Sequence, residues 1–336
     1  MKRGIDGILI VVLMVGILLL FAINLSYGDA SISWRDLISI LFGELPENDS
    51  WSYIVEYRLN RSIVAVLGGG ALAVSGLLLQ VFFRNPLAGP GVLGITSGAS
   101  LGVALVMLGG ISVQNVLGGV SVIFSGTIGA IGVLFLLLFI SRFVRNQVTL
   151  LVIGLMLGYF TSAFVNMLFL WADQNATREF VIWGLGSFEG LETPEVILFS
   201  LVILVFISAT VFMIKGLNGM VLGTEYSRSL GINLRVQKVL MIIITSVLAA
   251  VVTVYCGPIS FIGIAVPQLI RVIGKSRNHA VLIPMCFLGG GLLGIFADLL
   301  VRLADNTLPL NTVTALIGAP IIIWTIIKMN KRFVGV

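Results

Sequence analysis

The chain has 336 residues, of which 58% are apolar and 10% charged, whereas a soluble domain is about 45–50% apolar and about 25% charged. With a mean hydropathy of +1.12, this excludes a soluble globular domain, a disordered chain, a nucleic-acid-binding protein and a secreted disulfide scaffold. The formal charge of +5 says less than where the basic residues fall, because the distribution of Lys and Arg between the two faces sets the orientation of a membrane protein.

Two cysteines, Cys256 and Cys286, sit inside apolar runs and read as small hydrophobes. The sole histidine, His279, reads as part of a polar loop with Lys275, Ser276, Arg277 and Asn278. A histidine-based metal site or catalytic base has no material here, so no metal ligand and no catalytic residue is assigned.

A transmembrane helix needs about 20 predominantly apolar residues. Ten such stretches lie near 7–27, 61–83, 91–109, 117–141, 149–171, 195–214, 238–256, 258–274, 280–303 and 312–328. The expected fold class is an all-α polytopic membrane protein, one transmembrane domain over 1–336. The first run follows Lys2 and Arg3, but no small-x-small cleavage site follows it, so it reads as a retained span. Within the segment 28–57, Ile32, Leu37, Ile40 and Leu41 recur at helical spacing opposite Arg35 and Asp36, predicting a short helix on the membrane surface. A second external segment, 172–194, has polar ends and an aromatic centre and is too long to be only a turn. Residues 215–238 form the longest connection on the inner side, where "EYSRSLGI" reads as a short helix ending at Gly231.

With the amino terminus placed inside, Arg35, Arg58, Arg61, Arg178 and Arg302 are the basic residues that fall outside, and Asp6 and Glu225 the acids that fall inside. That bias obeys the positive-inside rule and leaves both termini cytoplasmic. Arg58 and Arg61 share a helix face if the second helix extends back that far. Arg302 follows Asp298 by four residues, which fits an internal ion pair, a snorkelling anchor or part of a docking site for an acidic partner.

Small residues crowd the second and ninth spans, from Gly68 to Gly76 and from Gly289 to Gly294, as close helix packing in lipid requires. Two glycine-proline breaks, "GPGVLGI" from Gly89 and "GPISFIGI" from Gly257, each open a span, and the two halves would run in opposite senses. "TLLVIG" from Thr149 and "TALIGAP" from Thr314 echo the pairing. Paired breaks in an inverted repeat are a transporter signature. An ion-coupled secondary transporter shares it but places ionisable residues at the bilayer midplane; here Asp298 stands near a span end. An intramembrane enzyme would lack a catalytic constellation.

The run "YRLNRSIVAVLGGGALAVSGLLLQVFFRNPLAGPGVLGITSGAS" at 57–100 closely resembles the FecCD-type permeases, the membrane subunits of iron-siderophore and cobalamin ABC importers. So do "LGTEYSRSLGI" at 222–232, "GPISFIGIAVPQLIRVIG" at 257–274 and "FADLLVRLADNTLPLNTVTALIGAPIIIW" at 296–324. The resemblance implies a homodimer or pseudodimer in a bacterial inner membrane, with two cytoplasmic ATPases, an external substrate-binding protein and a metal-chelate cargo. ATP and Mg would sit on the ATPase and no cofactor on this chain, which carries no Walker A sequence. By the same resemblance Arg58, Arg61 and Arg302 meet glutamates of the binding protein, rim charges that set register and association rate. Leu222, Gly223, Glu225, Ser227, Arg228, Ser229, Leu230 and Gly231 match the coupling segment that seats in the ATPase. Asn85, Leu87, Gln147 and Val148 fall where the family narrows to a cytoplasmic gate.

One position departs from the family. Gln268 follows Val266 and Pro267 where a histidine is usual; it keeps a donor and an acceptor but cannot titrate. The cargo stays open among ferric siderophores, favoured on family frequency, cobalamin, haem and oxyanions. No histidine lies within a span to ligate haem, while Met156, Tyr159 and Met167 in the fifth span are available to line a path.

Overall fold

A computed structural model describes residues 2–28, 32, 34–41, 49–109, 119–144, 146–274 and 276–334. Among these residues the chain is helical throughout, without strands. The helices are α1 (Lys2–Ser26), α2 (Trp34–Leu41), α3 (Asp49–Phe83), α4 (Ile95–Met107), α5 (Gly119–Ile140), α6 (Gln147–Leu168) and α7 (Gln174–Gly184). They continue with α8 (Thr193–Ala209), α9 (Ile214–Leu222), α10 (Thr224–Ser229), α11 (Leu234–Cys256), α12 (Ile262–Ile273), α13 (His279–Leu303) and α14 (Leu310–Val334).

Eight helical segments are long and apolar enough to cross a membrane, and two shorter apolar helices, α4 and α12, occupy the places of the expected third and eighth spans. With 13 and 12 residues these two cover about 20 Å at 1.5 Å per residue, less than the hydrocarbon core of about 30 Å. Their missing turns are the glycine-proline stretches in front of them. Pro90 opens a single 3-10 turn, Gly94 takes φ +72°, and Gly257 and Phe261 take φ +74° and +67°. A left-handed backbone at these points cannot continue an α-helix.

α3 is the axis of the fold. Its apolar window is 83% buried, against 17% for α1 and α5, and it packs on α1, α8, α11, α12 and α13. Hydrophobicity does not drive helices together in lipid, so close backbone approach must. A Cβ on Gly69 would strike the carbonyl of Gly290, and one on Gly290 the carbonyl of Gly69. α4 and α5 meet in the same way through Gly98 and Gly129. The small residues therefore serve helix packing at these points.

Three boundaries differ from the expected ones. α3 starts at Asp49 rather than near 61, so Arg58 and Arg61 do lie on one helix. The sixth span continues through a 3-10 turn, Thr210–Met213, into α9, because Gly216, Leu217, Gly219 and Met220 still have a core to enter. The connection proper is thus shorter than 215–238. His279 is no loop residue: it opens α13, buried, with Nδ1 2.8 Å from Asn218 Oδ1. Both cysteines are free and buried.

The 28–57 segment contains a short helix, α2, with Ile32 buried beside Leu25 and Val55; residues 42–48 lie outside the described residues. In the 172–194 segment, the side chain of Asp173 caps α7 at Ala176 N, and Phe180 packs between Phe169 and Trp183.

Candidate functional site: a broken-helix junction between two polar ends

The two glycine-proline stretches come from opposite ends of the bundle and meet inside it. The chain leaves α3 at Phe83, turns at Asn85 and brings Pro90 back against Gly263, at the level of Leu72 in α3. From the other end α11 finishes at Cys256 and α12 begins on the same junction. A Cβ on Gly263 would strike the Pro90 ring, one on Gly89 would strike Ile264, and one on Gly94 would strike the carbonyl of Gly154 in α6. The junction thus joins α3, α12 and α6. Irregular backbone at this depth is tolerated when buried in protein, and its polar groups are met by side chains. Gln268 donates Nε2 to the Pro86 carbonyl, Gln80 Nε2 lies 3.4 Å from the Ile264 carbonyl, and Arg271 donates to Gln80 Oε1 at 2.8 Å. The Oε1 of Gln268 is buried without a hydrogen-bond partner among the described residues. Gln268 therefore holds the turn carrying Asn85 and Leu87.

Asn311, at the start of α14, braces the other side. Its Nδ2 donates to Pro258 O at 2.5 Å and Gly184 O at 3.2 Å, its Oδ1 accepts from Ser260 N at 3.0 Å, and its backbone N–H reaches Leu185 O. One side chain thereby ties α7 to the break before α12.

At the end opposite the termini the three predicted arginines come together around an open cleft of about 850 Å3, which Tyr27, Tyr53, Tyr57 and Asn306 also line. They are only 4% (Arg58), 3% (Arg61) and 8% (Arg302) exposed. Arg61 Nε donates to Asp298 Oδ1 at 2.7 Å, its Nη2 to Asn306 at 3.2 Å, and its Nη1 stands 3.3 Å from Glu189. Arg302 Nε is 3.6 Å from Asp298 Oδ2, and its Nη1 donates to Asn24 O at 2.6 Å. Arg58 caps the end of α1 through Leu25 O at 3.0 Å. The i,i+4 pair read from the sequence exists, but Arg61 is the closer partner of Asp298. Glu189, Tyr57 and Asn306 are the members that sequence reasoning did not assemble, and Asp298 was read only against Arg302, since only the Asp298–Arg302 spacing is local.

The coupling and gate candidates lie at the terminal end. Gly223, at φ +126°, breaks α9 from α10; Ser227 is buried and donates to Gly223 O at 2.9 Å; Gly231, at φ +73°, closes α10 through Arg228 O. Leu222, Arg228, Ser229 and Leu230 are exposed on this knob, and the side chain of Glu225 lies outside the described residues. Asn85 Oδ1 accepts from Leu87 N at 2.9 Å, and Leu87 is exposed. Gln147 and Val148 open α6 behind the Asn146 cap. No hydrogen bond joins the two gate pairs among the described residues. No cluster of His, Cys, Asp or Glu fit to hold a metal ion occurs among them either.

The chain resembles several known proteins over nearly its whole length. It is 33% identical over 327 residues to the hemin transport system permease protein HmuU of Yersinia pestis, covering 96% of this chain and 98% of that one. It is 33% identical over 306 residues to the vitamin B12 import system permease protein BtuC of Klebsiella pneumoniae, covering 88% and 91%. Its fold matches that of a metal-chelate type ABC transporter solved in an inward-facing conformation, with a TM-score of 0.83 and 28% identity over 95% of this chain and 98% of that one. The FecCD transport family matches residues 16–328. The broken helices, the extended axis helix and these likenesses agree: the chain belongs to the FecCD transport family, as a permease subunit whose ATPase is a separate protein.

Proposed function

We propose that this chain lines the translocation path of a binding-protein-dependent ABC importer for a metal chelate, with a ferric siderophore as cargo. The observation that carries the reading is the junction where two breaks from opposite ends meet in the interior, the architecture on which alternating access operates in transporters. The largely exposed apolar faces of α6 and α14 support a second copy of the chain across a shared path, with Met156, Tyr159 and Met167 of α6 exposed toward it. On this reading the knob from Leu222 to Gly231 offers its exposed leucines to a pair of ATPases, and both termini lie in the cytoplasm of a bacterial inner membrane. The opposite cleft receives acidic side chains of a binding protein on Arg58, Arg61 and Arg302. The single histidine of the chain, His279, is buried at the terminal end, which favours a chelate that brings all its own metal ligands over haem held by an axial histidine.

The test is uptake in proteoliposomes containing the permease, its ATPases and its binding protein. Labelled ferric siderophore is expected to enter only with ATP, and cobalamin and haem to enter more slowly. Preferred uptake of cobalamin or haem overturns the cargo; uptake driven by an ion gradient without ATP overturns the importer.

A further inference from the structure

At the terminal end, the turn joining α5 to α6 and the first turns of α11 enclose a pocket of about 360 Å3. Arg142, Arg235 and Lys238 line it over a floor that includes Phe82, Leu138 and Leu150. Its described lining contains no carboxylate, and none of the three cationic side chains has a hydrogen bond or ion pair among the described residues. Arg84 and Arg228 add like charge at Lys238. Three cations without an anion, around an apolar floor, are half of a binding site.

We infer that this pocket binds the phosphate headgroup of an anionic phospholipid. The pocket lies where α6 and α11 begin their apolar spans, the headgroup level at which basic pockets between transmembrane helices take acidic lipids. Beside its lining residues in sequence stand Phe143, 73% exposed, and the exposed Val236, an apolar rim for acyl chains. A carboxylate from a soluble partner needs the charge but not that rim. The bound phosphate bridges the turn that carries Asn146 and Gln147 to the start of α11, which directly follows the coupling segment. The lipid therefore braces the gate candidates against that segment. This inference needs a bilayer but neither the cargo nor the orientation proposed above.

The experiment uses the full chain, delipidated in detergent and titrated with phosphatidylglycerol or phosphatidylcholine, with bound lipid counted by native mass spectrometry. The wild type is expected to retain phosphatidylglycerol in preference. The triple variant Arg142→Gln, Arg235→Gln, Lys238→Gln loses about 100-fold in that affinity, at about fivefold per basic residue near a membrane surface. Arg178→Gln, at the opposite end, changes nothing. A rise in Tm with phosphatidylglycerol, present in the wild type and absent in the triple variant, is the second readout and shows that the variant is folded. Equal retention of the two lipids, or an unaltered triple variant, overturns the proposal. Complete displacement by excess inorganic phosphate makes it a free-phosphate site, and loss of ATPase capture with lipid retention unchanged makes it a protein contact; either also overturns it.

Discussion

The two ends of the molecule use arginine in opposite ways. Opposite the termini, Arg58, Arg61 and Arg302 are withdrawn from solvent and satisfied by Asp298, Glu189, Asn306 and the carbonyls that end α1. At the terminal end, Arg142 and Arg235 are exposed around a pocket and have no side-chain partner among the described residues. The difference teaches that a basic residue's place on the outer or inner side does not tell its role. A guanidinium buried against a carboxylate belongs to the fold first, and any binding protein must act on what that network leaves facing the cleft. One left open around a pocket is free to meet an anion from outside the chain.

The strongest way to break this comparison is to remove the shared anion. Asp298→Ala takes from Arg302 its carboxylate among the described residues and leaves Arg61 only the more exposed Glu189, and is expected to cost about 3–5 kcal/mol. Arg142→Gln, at an exposed site, is expected to stay within about 0.5 kcal/mol of the wild type. Unfolding of the two variants in the same detergent checks both, and equal losses would dissolve the distinction between the ends.

A smaller effect tests the junction that separates them. Gln268→Leu removes the donor from the Pro86 carbonyl and leaves a buried acceptor unmet, which is expected to cost about 1–3 kcal/mol. Because that turn carries Asn85 and Leu87, uptake should fall while affinity for the binding protein proposed to dock at the opposite end stays unchanged. Gln268→His, which restores a donor, should recover most of the stability. A loss of binding-protein affinity in Gln268→Leu would mean that the junction and the cleft opposite the termini are one unit.

Much of this was legible before any coordinates, and the reason is local. Apolar runs report spans, Gly89-Pro90 and Gly257-Pro258 report breaks, and Gly231 reports the end of α10, because each signal is written within a few residues. What escaped was depth and pairing. Hydropathy placed the start of the second span near Arg61, since Asp49, Glu56 and Arg58 read as polar linker, yet tertiary partners carry α3 out to Asp49. It gave α4 and α12 full-length spans because composition does not register that a left-handed backbone at Gly94 or Phe261 stops a helix. The Arg61–Asp298 contact joins residues 237 positions apart, and the meeting of Pro90 with Gly263 is equally non-local. No periodicity within one sequence encodes such a pairing.

The finest test separates the two carboxylates of Arg61. Glu189 is 31% exposed and 3.3 Å away, whereas Asp298 is 2% exposed and 2.7 Å away. A double-mutant cycle with Arg61→Gln and Glu189→Gln is expected to give a coupling below about 1 kcal/mol, because Glu189 keeps contact with solvent, and one that shrinks as salt screens it. The cycle with Asp298→Asn should give a larger coupling that salt barely moves. Tyr57 donates to the same Glu189 oxygen at 2.7 Å, so Tyr57→Phe should loosen Glu189 and lower the first coupling without touching the second. If instead the Glu189 coupling matched that of Asp298 and resisted salt, the segment between α7 and α8 would be locked to α3 as firmly as α13 is. The cleft at that end would then be a rigid seat. A weak, salt-sensitive Glu189 coupling makes it a rim that an incoming carboxylate can open by competing for Arg61.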